Sequence, residues 1–423
     1  MNTFGLRAYY RPTQFSRISL EYHTTNEFRR GGNKFDLQPH ETDITEQTKH
    51  IINSGGLTYD VFFNEYKHKL SVYASAQHTD RNSYYGADKA ENAYGKTKDL
   101  TAVGGAMYVG NMDNCLFSPA TFTGGLEYQY NSLHDVMTGY GRDLKQDVKI
   151  ASGFVQNEWK LDYFTILAGF RLDKHNLVDN VIFSPRINTL WKPSDKFQGR
   201  LTWSTGFRAP QAYDEDLHVA AVGGEAMEVR LAEGLKPERS NSFSGSVDWS
   251  FNFGHFQSNL LIEGFYTALN DVFYLESLGK DPVSGTLVQE RRNGNGARVY
   301  GANIDYKIAH GKEAQLQLGF TVQRSRYTEA VRWSEDEDVA AIKRMPRTPD
   351  YYGYFTFSSA PLKNFDFSLS GVYTGRMIVP HFAGYIEKDR LEHTPDFMDF
   401  NLKLNYTFVL NDHLKLQVNG GEI

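Results

Sequence analysis

The sequence predicts an all-β chain, most simply a transmembrane antiparallel up-and-down β-barrel. Three observations lead there. Strand-length segments alternate so that apolar residues fall on one face only. Short and long connections take turns along the whole chain. The composition is rich in aromatics and glycine (Phe 29, Tyr 26, Trp 5 and Gly 37 against 13 Pro), which suits strands and turns and fits helices poorly.

The clearest alternating segments lie at about 16–22, 122–130, 197–205, 242–251, 256–268, 315–323, 365–374 and 397–408. In the last of these one face carries Met398, Phe400, Leu402, Leu404, Tyr406 and Phe408, and the other Phe397, Asp399, Asn401, Lys403, Asn405 and Thr407. Likewise Phe197, Gly199, Leu201 and Trp203 oppose Gln198, Arg200, Thr202 and Ser204. A polar face on every strand means that every strand borders water on one side. In a barrel that side is the lumen, and the apolar face meets lipid. Weaker segments fill the gaps at about 3–10, 49–62, 68–78, 101–109, 148–158, 164–172, 182–191, 272–276, 287–292 and 299–308, and a final strand falls at 414–420. The pair around 272–292 reads as extensions of neighbouring strands above a loop.

Tight corners fall at about 11–15, 63–67, 110–119, 159–163, 192–196, 252–255, 309–313, 360–364 and 410–413. Long polar segments fall between them, at about 24–47, 79–100, 131–147, 173–181, 206–238, 276–297, 327–349 and 375–396. Strict alternation puts all tight turns at one end of the strands and all long loops at the other, as in outer-membrane barrels.

Other classes find less support. No apolar run approaches the roughly 18 residues of a spanning helix, and Met1 opens no signal-peptide pattern, so a membrane would be crossed by strands. The net charge of −6 gives no basic footprint for nucleic acid. A lone Cys115 excludes an internal disulfide framework. A mean hydropathy of −0.51 fits both a wet-lumened barrel and a soluble all-β protein, and the soluble reading stays open on these features. A propeller would show a sequence repeat of about 40–50 residues, and none is seen.

Local motifs give catalysis no support. Residues 90–97, "AENAYGKT", satisfy only a relaxed phosphate-loop pattern, between a polar loop and a strand where that chemistry needs a strand and then a helix. The carboxylate and His groups at 40–43, "HETD", and 214–218, "DEDLH", read as solvated loop charge. There is no HExxH, and no GxSxG in a strand-turn-helix context. No catalytic residues, metal ligands or resident cofactor are expected.

The stretch "FSPRINTLWKPSDKFQGRLTWSTGFRAPQAYDEDLH" (183–218), with "LKPERSNSFSGSVDW" (235–249), resembles the barrel of TonB-dependent outer-membrane receptors. The matching pieces are Ser184-Pro185-Arg186, the Lys192-Pro193-Ser194 corner, Gly206-Phe207-Arg208-Ala209-Pro210 and Leu235-Lys236-Pro237-Glu238. The segment 28–47 is similar to an outer loop of that family. The resemblance implies a Gram-negative outer-membrane receptor for a scarce, large ligand, foremost an iron–siderophore complex, with haem or cobalamin as alternatives. Its implied partners are the TonB-ExbB-ExbD complex, acting through a plug domain, and outer-membrane lipid and lipopolysaccharide. The chain is expected to be a partial barrel domain over 1–423, with about eighteen of the roughly 22 strands the resemblance implies and without the plug and the last strand. A porin-like channel is the alternative of another class. Ligands of this family are planar or anionic, so aromatic and cationic loop residues are the candidate contacts: Tyr84, Tyr85, Tyr140, Arg142, Arg208, Tyr213, Trp333, Arg376, His381 and Tyr385.

Overall fold

The computed structural model describes every residue except 88, 90, 211–226, 281–286, 335, 382–385, 412, 413 and 423. The strands begin with β1 (Asn2–Tyr10), β2 (Ser16–Gly32), β3 (Ile44–Phe63), β4 (His68–Ala87), β5 (Tyr94–Cys115), β6 (Ser118–Met137), β7 (Arg142–Lys160) and β8 (Phe164–His175). Next come β9 (Ile182–Ser194), β10 (Phe197–Arg208), β11 (Met227–Leu231), β12 (Glu238–Phe253), β13 (Phe256–Asn270), β14 (Phe273–Lys280), β15 (Leu287–Asn293) and β16 (Ala297–His310). The last are β17 (Ala314–Val331), β18 (Ile342–Arg344), β19 (Tyr351–Leu362), β20 (Phe365–Thr374), β21 (Ile378–His381), β22 (Arg390–His393), β23 (Phe397–Asn411) and β24 (Leu414–Glu422). Two short 3-10 turns, Pro39–Glu41 and Thr138–Tyr140, are the only helical pieces among the described residues.

One 19-stranded sheet forms the wall. Setting aside the three-residue β18, eighteen long strands remain among the described residues, each antiparallel to its neighbours in the sheet. Among those residues no pairing joins β1 to β24, so the wall is an open barrel. The predicted faces hold. Leu126, Leu201 and Phe400 point outward at 70%, 69% and 57% exposure, as a lipid-facing surface in water must. Rings gather beside the tight turns, with Phe63, His68 and Tyr108 stacked and Trp191 edge-on to Phe197, where an interfacial girdle belongs. The β12–β13 turn is the tightest kind: Phe253 pairs with Phe256 across Gly254-His255, and Gly254 takes φ +60, which a residue with a Cβ rarely adopts.

Three expectations change. First, parts of the long segments 24–47, 79–100 and 131–147 are strand. β3, β4 and β6 run 20 residues and β5 runs 22, whereas crossing the bilayer takes about 9–11. Beyond the lipid both faces meet water, so one-faced alternation fades while the backbone ladder continues. Second, β14 and β15 are not extensions of the wall. They form a separate sheet with β11, which pairs with β15 in parallel. Third, β19 fills the interval between the 327–349 segment and the 360–364 corner, where alternation marks no strand. Its two faces are nearly equally aromatic, so alternation is hidden in "YYGYFTF".

Glycines on the lumen face let tyrosines lie flat across the wall. Tyr354 on β19, Gly319 on β17 and Asp305 on β16 share one cross-strand row, and the Tyr354 hydroxyl donates to Asp305 Oδ2 at 2.5 Å. A Cβ at Gly319 would sit 2.1 Å from the ring. Tyr73, Gly105 and Glu127 repeat the arrangement on β4, β5 and β6, with a 2.8 Å bond. Gly319→Val is therefore expected to cost about 1–3 kcal/mol by overpacking. Gly264→Val, where a Cβ meets open space, should stay within about 0.5 kcal/mol. Urea unfolding of the complete receptor carrying each change measures both, and equal midpoints would contradict this reading of Tyr354.

Candidate ligand site at the loop end

The lumen wall is held by charge and hydrogen bonds rather than by an apolar core. Asp60, whose side chain is 2% exposed, accepts from Arg17 (2.8 Å), Lys69 (2.9 Å) and Ser71 (2.7 Å). Further round, Arg171 bridges Glu127 at 2.9 Å and Asp173 at 2.7 Å, and Ser152 donates to Asp173. Asn259 and Gln198 both donate to Asp248. These bonds fix strands whose inner faces carry polar groups in a partly wet interior, and each buried charge has partners.

The buried apolar residues concentrate toward the long loops: Tyr84, Tyr85, Ala93, Leu133, Met137, Val148 and Ile182. Candidate residues Tyr84 and Tyr85 belong to this layer, at 1% and 2% exposure. The Tyr84 ring meets Tyr94 edge-on at 4.9 Å, and Tyr94 shares a 2.8 Å hydrogen bond with His40 Nδ1. Tyr85 packs on Met137, and burial raises its phenol above the ordinary range, keeping it neutral. Both are buried within the loop-end layer. The backbone puts Tyr140 in the 3-10 turn after β6 and pairs Arg142 with Met137. Tyr213 and Tyr385 lie outside the described residues, as does the 214–218 group.

Arg208 stands at the loop end of β10. It pairs with Glu238 at 2.7 Å, and its guanidinium lies 5.0 Å from the centre of the Phe273 ring. Arg291 on β15 approaches the same ring at 5.9 Å while only 5% exposed. The loop sheet carrying these groups is fastened to the wall by Asn293, whose amide donates to the Lys236 and Asp271 carbonyls and whose oxygen accepts from Lys236 N–H. Two cations around one aromatic ring suit an anionic, planar ligand by charge and by stacking. The sequence reading names Arg208 and not Phe273 or Arg291, which the loop sheet brings beside it; the sequence signal for them is the Arg291-Arg292 pair.

On the other long loops, Trp333 lies 6.3 Å from Tyr327, and its buried indole N–H has no acceptor among the described residues. Ser334 bonds Asp389 at 2.5 Å and Lys388 meets Asp338 at 3.3 Å, joining the 332–350 and 375–396 segments. Arg376 pairs with Asp396 (2.9 Å), and exposed His381 lies 3.4 Å from Glu392. Within 40–43, Asp43 binds Lys34 at 2.8 Å, and that hydrogen bond lowers its carboxyl below the usual range. Among the described residues no group of three or more His, Cys, Asp or Glu could hold a metal ion. Residues 94–97 begin a strand, without the helix a phosphate loop requires.

The profile "TonB dependent receptor-like, beta-barrel" matches residues 2–421. The iron-regulated outer membrane virulence protein of Vibrio cholerae El Tor is 29% identical over 172 residues, 40% of this chain and 25% of that protein. The siderophore receptor PirA of Acinetobacter baumannii superposes with a TM-score of 0.71 at 13% identity, over 96% of this chain and 64% of that one. The outer membrane transporter YddB of Escherichia coli gives 0.73 at 10% identity, over 97% and 63%. The chain thus spans less than two thirds of the length of each of these relatives. With the profile matched from end to end of the wall, and with an apolar outer face around a polar lumen, this chain is an outer-membrane β-barrel of the TonB-dependent receptor family.

Proposed function

We propose that this chain forms the wall and outer loops of a receptor that takes up an iron chelate, energised by the TonB system through a plug domain. The observation carrying this reading is that the Arg208 and Arg291 guanidiniums both approach the Phe273 ring at the loop end, a combination that suits a ferric complex of anionic planar ligands. The names of the relatives agree in kind: an iron-regulated outer-membrane protein and a siderophore receptor. Arginine sites also line diffusion channels, where they bind weakly enough for the solute to leave, so the affinity of the site is what separates a receptor from a channel.

The complete receptor carrying Arg208→Ala with Arg291→Ala is expected to lose about tenfold or more in affinity for a ferric catecholate, with Arg208→Lys retaining most of it. Purified receptor would be titrated with ferric catecholate, haem and cobalamin in parallel. Undiminished catecholate binding in the double variant would remove the site. Uptake by cells that persists after a protonophore collapses the membrane potential would remove the energised mechanism and leave the channel.

A further inference from the structure

We infer that His175 is an acid-sensitive latch: neutral, it holds the connection from β8 to β9 (176–181) against the barrel, and protonated it lets that connection open. His175 is the twelfth and last residue of β8. About 9–11 residues cross the hydrocarbon, so the ring stands where the chain leaves the membrane on the loop side. It is fully buried, at 0% exposure. Asp173 pairs with Ser152 and His175 with Ile150, and residues two apart share a face, so the ring lies on the lumen side with Asp173. It belongs to the apolar layer of Val148 and Ile182, which Val178 of the connection completes.

Hydrogen bonds fix the state of the ring. Leu177 N–H donates to His175 Nδ1 at 3.0 Å, so Nδ1 keeps its lone pair and the proton sits on Nε2. Nε2 is buried and has no acceptor among the described residues. A second proton would turn Nδ1 into a donor facing another donor, and neither nitrogen would gain a partner. The same bond closes a turn in which Val178 N–H donates to the His175 carbonyl at 3.2 Å. Lys174 ties the turn from outside, its ammonium donating to the Val178 carbonyl at 2.9 Å and to that of Asp179 at 2.6 Å. Asn176 carries the pairing onto β7, accepting from Lys149 N–H and donating to the Asp147 carbonyl, both at 2.8 Å.

Charge decides what acid does there. On this face β7 offers Val148, Ile150 and Ser152 and β9 offers Ile182, none of which ionises. The carboxylate beside the ring is Asp173, whose Oδ1 takes Ser152 and Arg171 and whose buried Oδ2 has no donor among the described residues. Arg171 is shared between Asp173 and Glu127 of β6. In and beside the connection, Lys174 and Asp179 are exposed. Burial lowers the pKa of the ring below the ordinary histidine value, and the Asp173 charge offsets only part of this. The stabilisation by neutral His175 is therefore complete above the unfolded value of about 6.5 and is lost as pH falls through the lower folded value. The release is local. Leu177 loses its acceptor, the ring leaves the apolar layer for water, and residues 176–181 come away from β7 while the wall keeps its ladders. The latch shares no group with the arginines around Phe273.

The test follows backbone amide exchange by mass spectrometry on the complete receptor in detergent, from about pH 7.5 to about pH 4.5, with rates corrected for the intrinsic pH dependence of exchange. Each pH unit below the folded value is expected to speed exchange across 176–181 about tenfold, with β10 unchanged. His175→Asn, whose Oδ1 can accept from Leu177 and which takes up no proton, should abolish the acid step. His134→Gln, which removes an exposed histidine on β6, should keep it. Heat-modifiable gel mobility checks folding. If the Asn variant does not fold, exchange of the ring C2 hydrogen of His175 in the unaltered receptor is followed against pH instead, with a midpoint below about 6.5 expected. A midpoint at or above that value would overturn the proposal. So would equal protection of 176–181 across the range, an acid step that survives in His175→Asn, or one that spreads equally to β10.

Discussion

Leu402→Arg is expected to destabilise the complete barrel by about 2–4 kcal/mol, and Asn401→Arg to be tolerated. The two positions are adjacent on β23 and differ only in face. Leu402 pairs with Leu369 in the outward row and is 43% exposed, whereas Asn401 pairs with Ser370 toward the lumen. A guanidinium in place of Leu402 must be pulled out of hydrocarbon or drag water in, while the same group at 401 enters a polar, partly wet interior. Paired denaturant titrations in liposomes measure the difference. Equal losses would mean that the faces of β23 are wrongly assigned, and with them the row argument for every neighbouring strand.

A loss of about 3 kcal/mol is expected for Asp60→Ala, for a different reason. The carboxylate is nearly inaccessible and neutralises Arg17 and Lys69 while accepting from Ser71. Removing it leaves two cations facing each other across β2, β3 and β4, and a stranded charge costs more than the bond that held it. Adding Arg17→Met and Lys69→Met to Asp60→Ala should therefore recover much of the stability, because the triple change removes the charges together. A triple variant no more stable than Asp60→Ala would show that the loss comes from the Ser71 bond or from packing.

Much of the wall was legible because the bilayer imposes a rule that a sequence must obey residue by residue. Between lipid and lumen, β10, β13 and β23 can alternate in only one way, and they do. Most tight corners were legible for the same reason, since each joins two segments of opposite slope; the one placed at 110–119 is only Leu116-Phe117, because β5 and β6 run through the rest. Legibility ended where the lipid ended. The ribbons of β3 to β6 continue above the membrane with polar groups on both faces, and nothing periodic separates them from loops. The loop sheet of β11, β14 and β15 depends on a parallel pairing between segments far apart in the chain, which local pattern cannot reveal. The candidate site suffered most. Arg208 is named through its neighbourhood in a recognisable stretch, but Phe273 and Arg291 come beside it only through that sheet. Tyr84 and Tyr85 carry the chemistry of a ligand contact, and the burial that the long ribbons give them could not be read from their sequence neighbourhood.

Alternation on two faces forbids a strand from sliding by one residue, because every apolar side chain would turn into water. It does not forbid sliding by two, which returns each residue to its own face. A wall of some eighteen strands must insert with no such error, and something besides hydrophobicity has to detect an even slip. The flat tyrosines do this. Tyr73 lies down only where Gly105 leaves room and Glu127 waits beyond it, and Tyr354 only over Gly319 with Asp305 beyond. Moved by two residues, Tyr73 would face Val103 or Met107, and Tyr354 would face Gln317 or Thr321 in place of its notch. Each three-strand row works as a key cut for one alignment, one in the first third of the chain and one in the last, so that an even slip at either place closes the notch on its tyrosine.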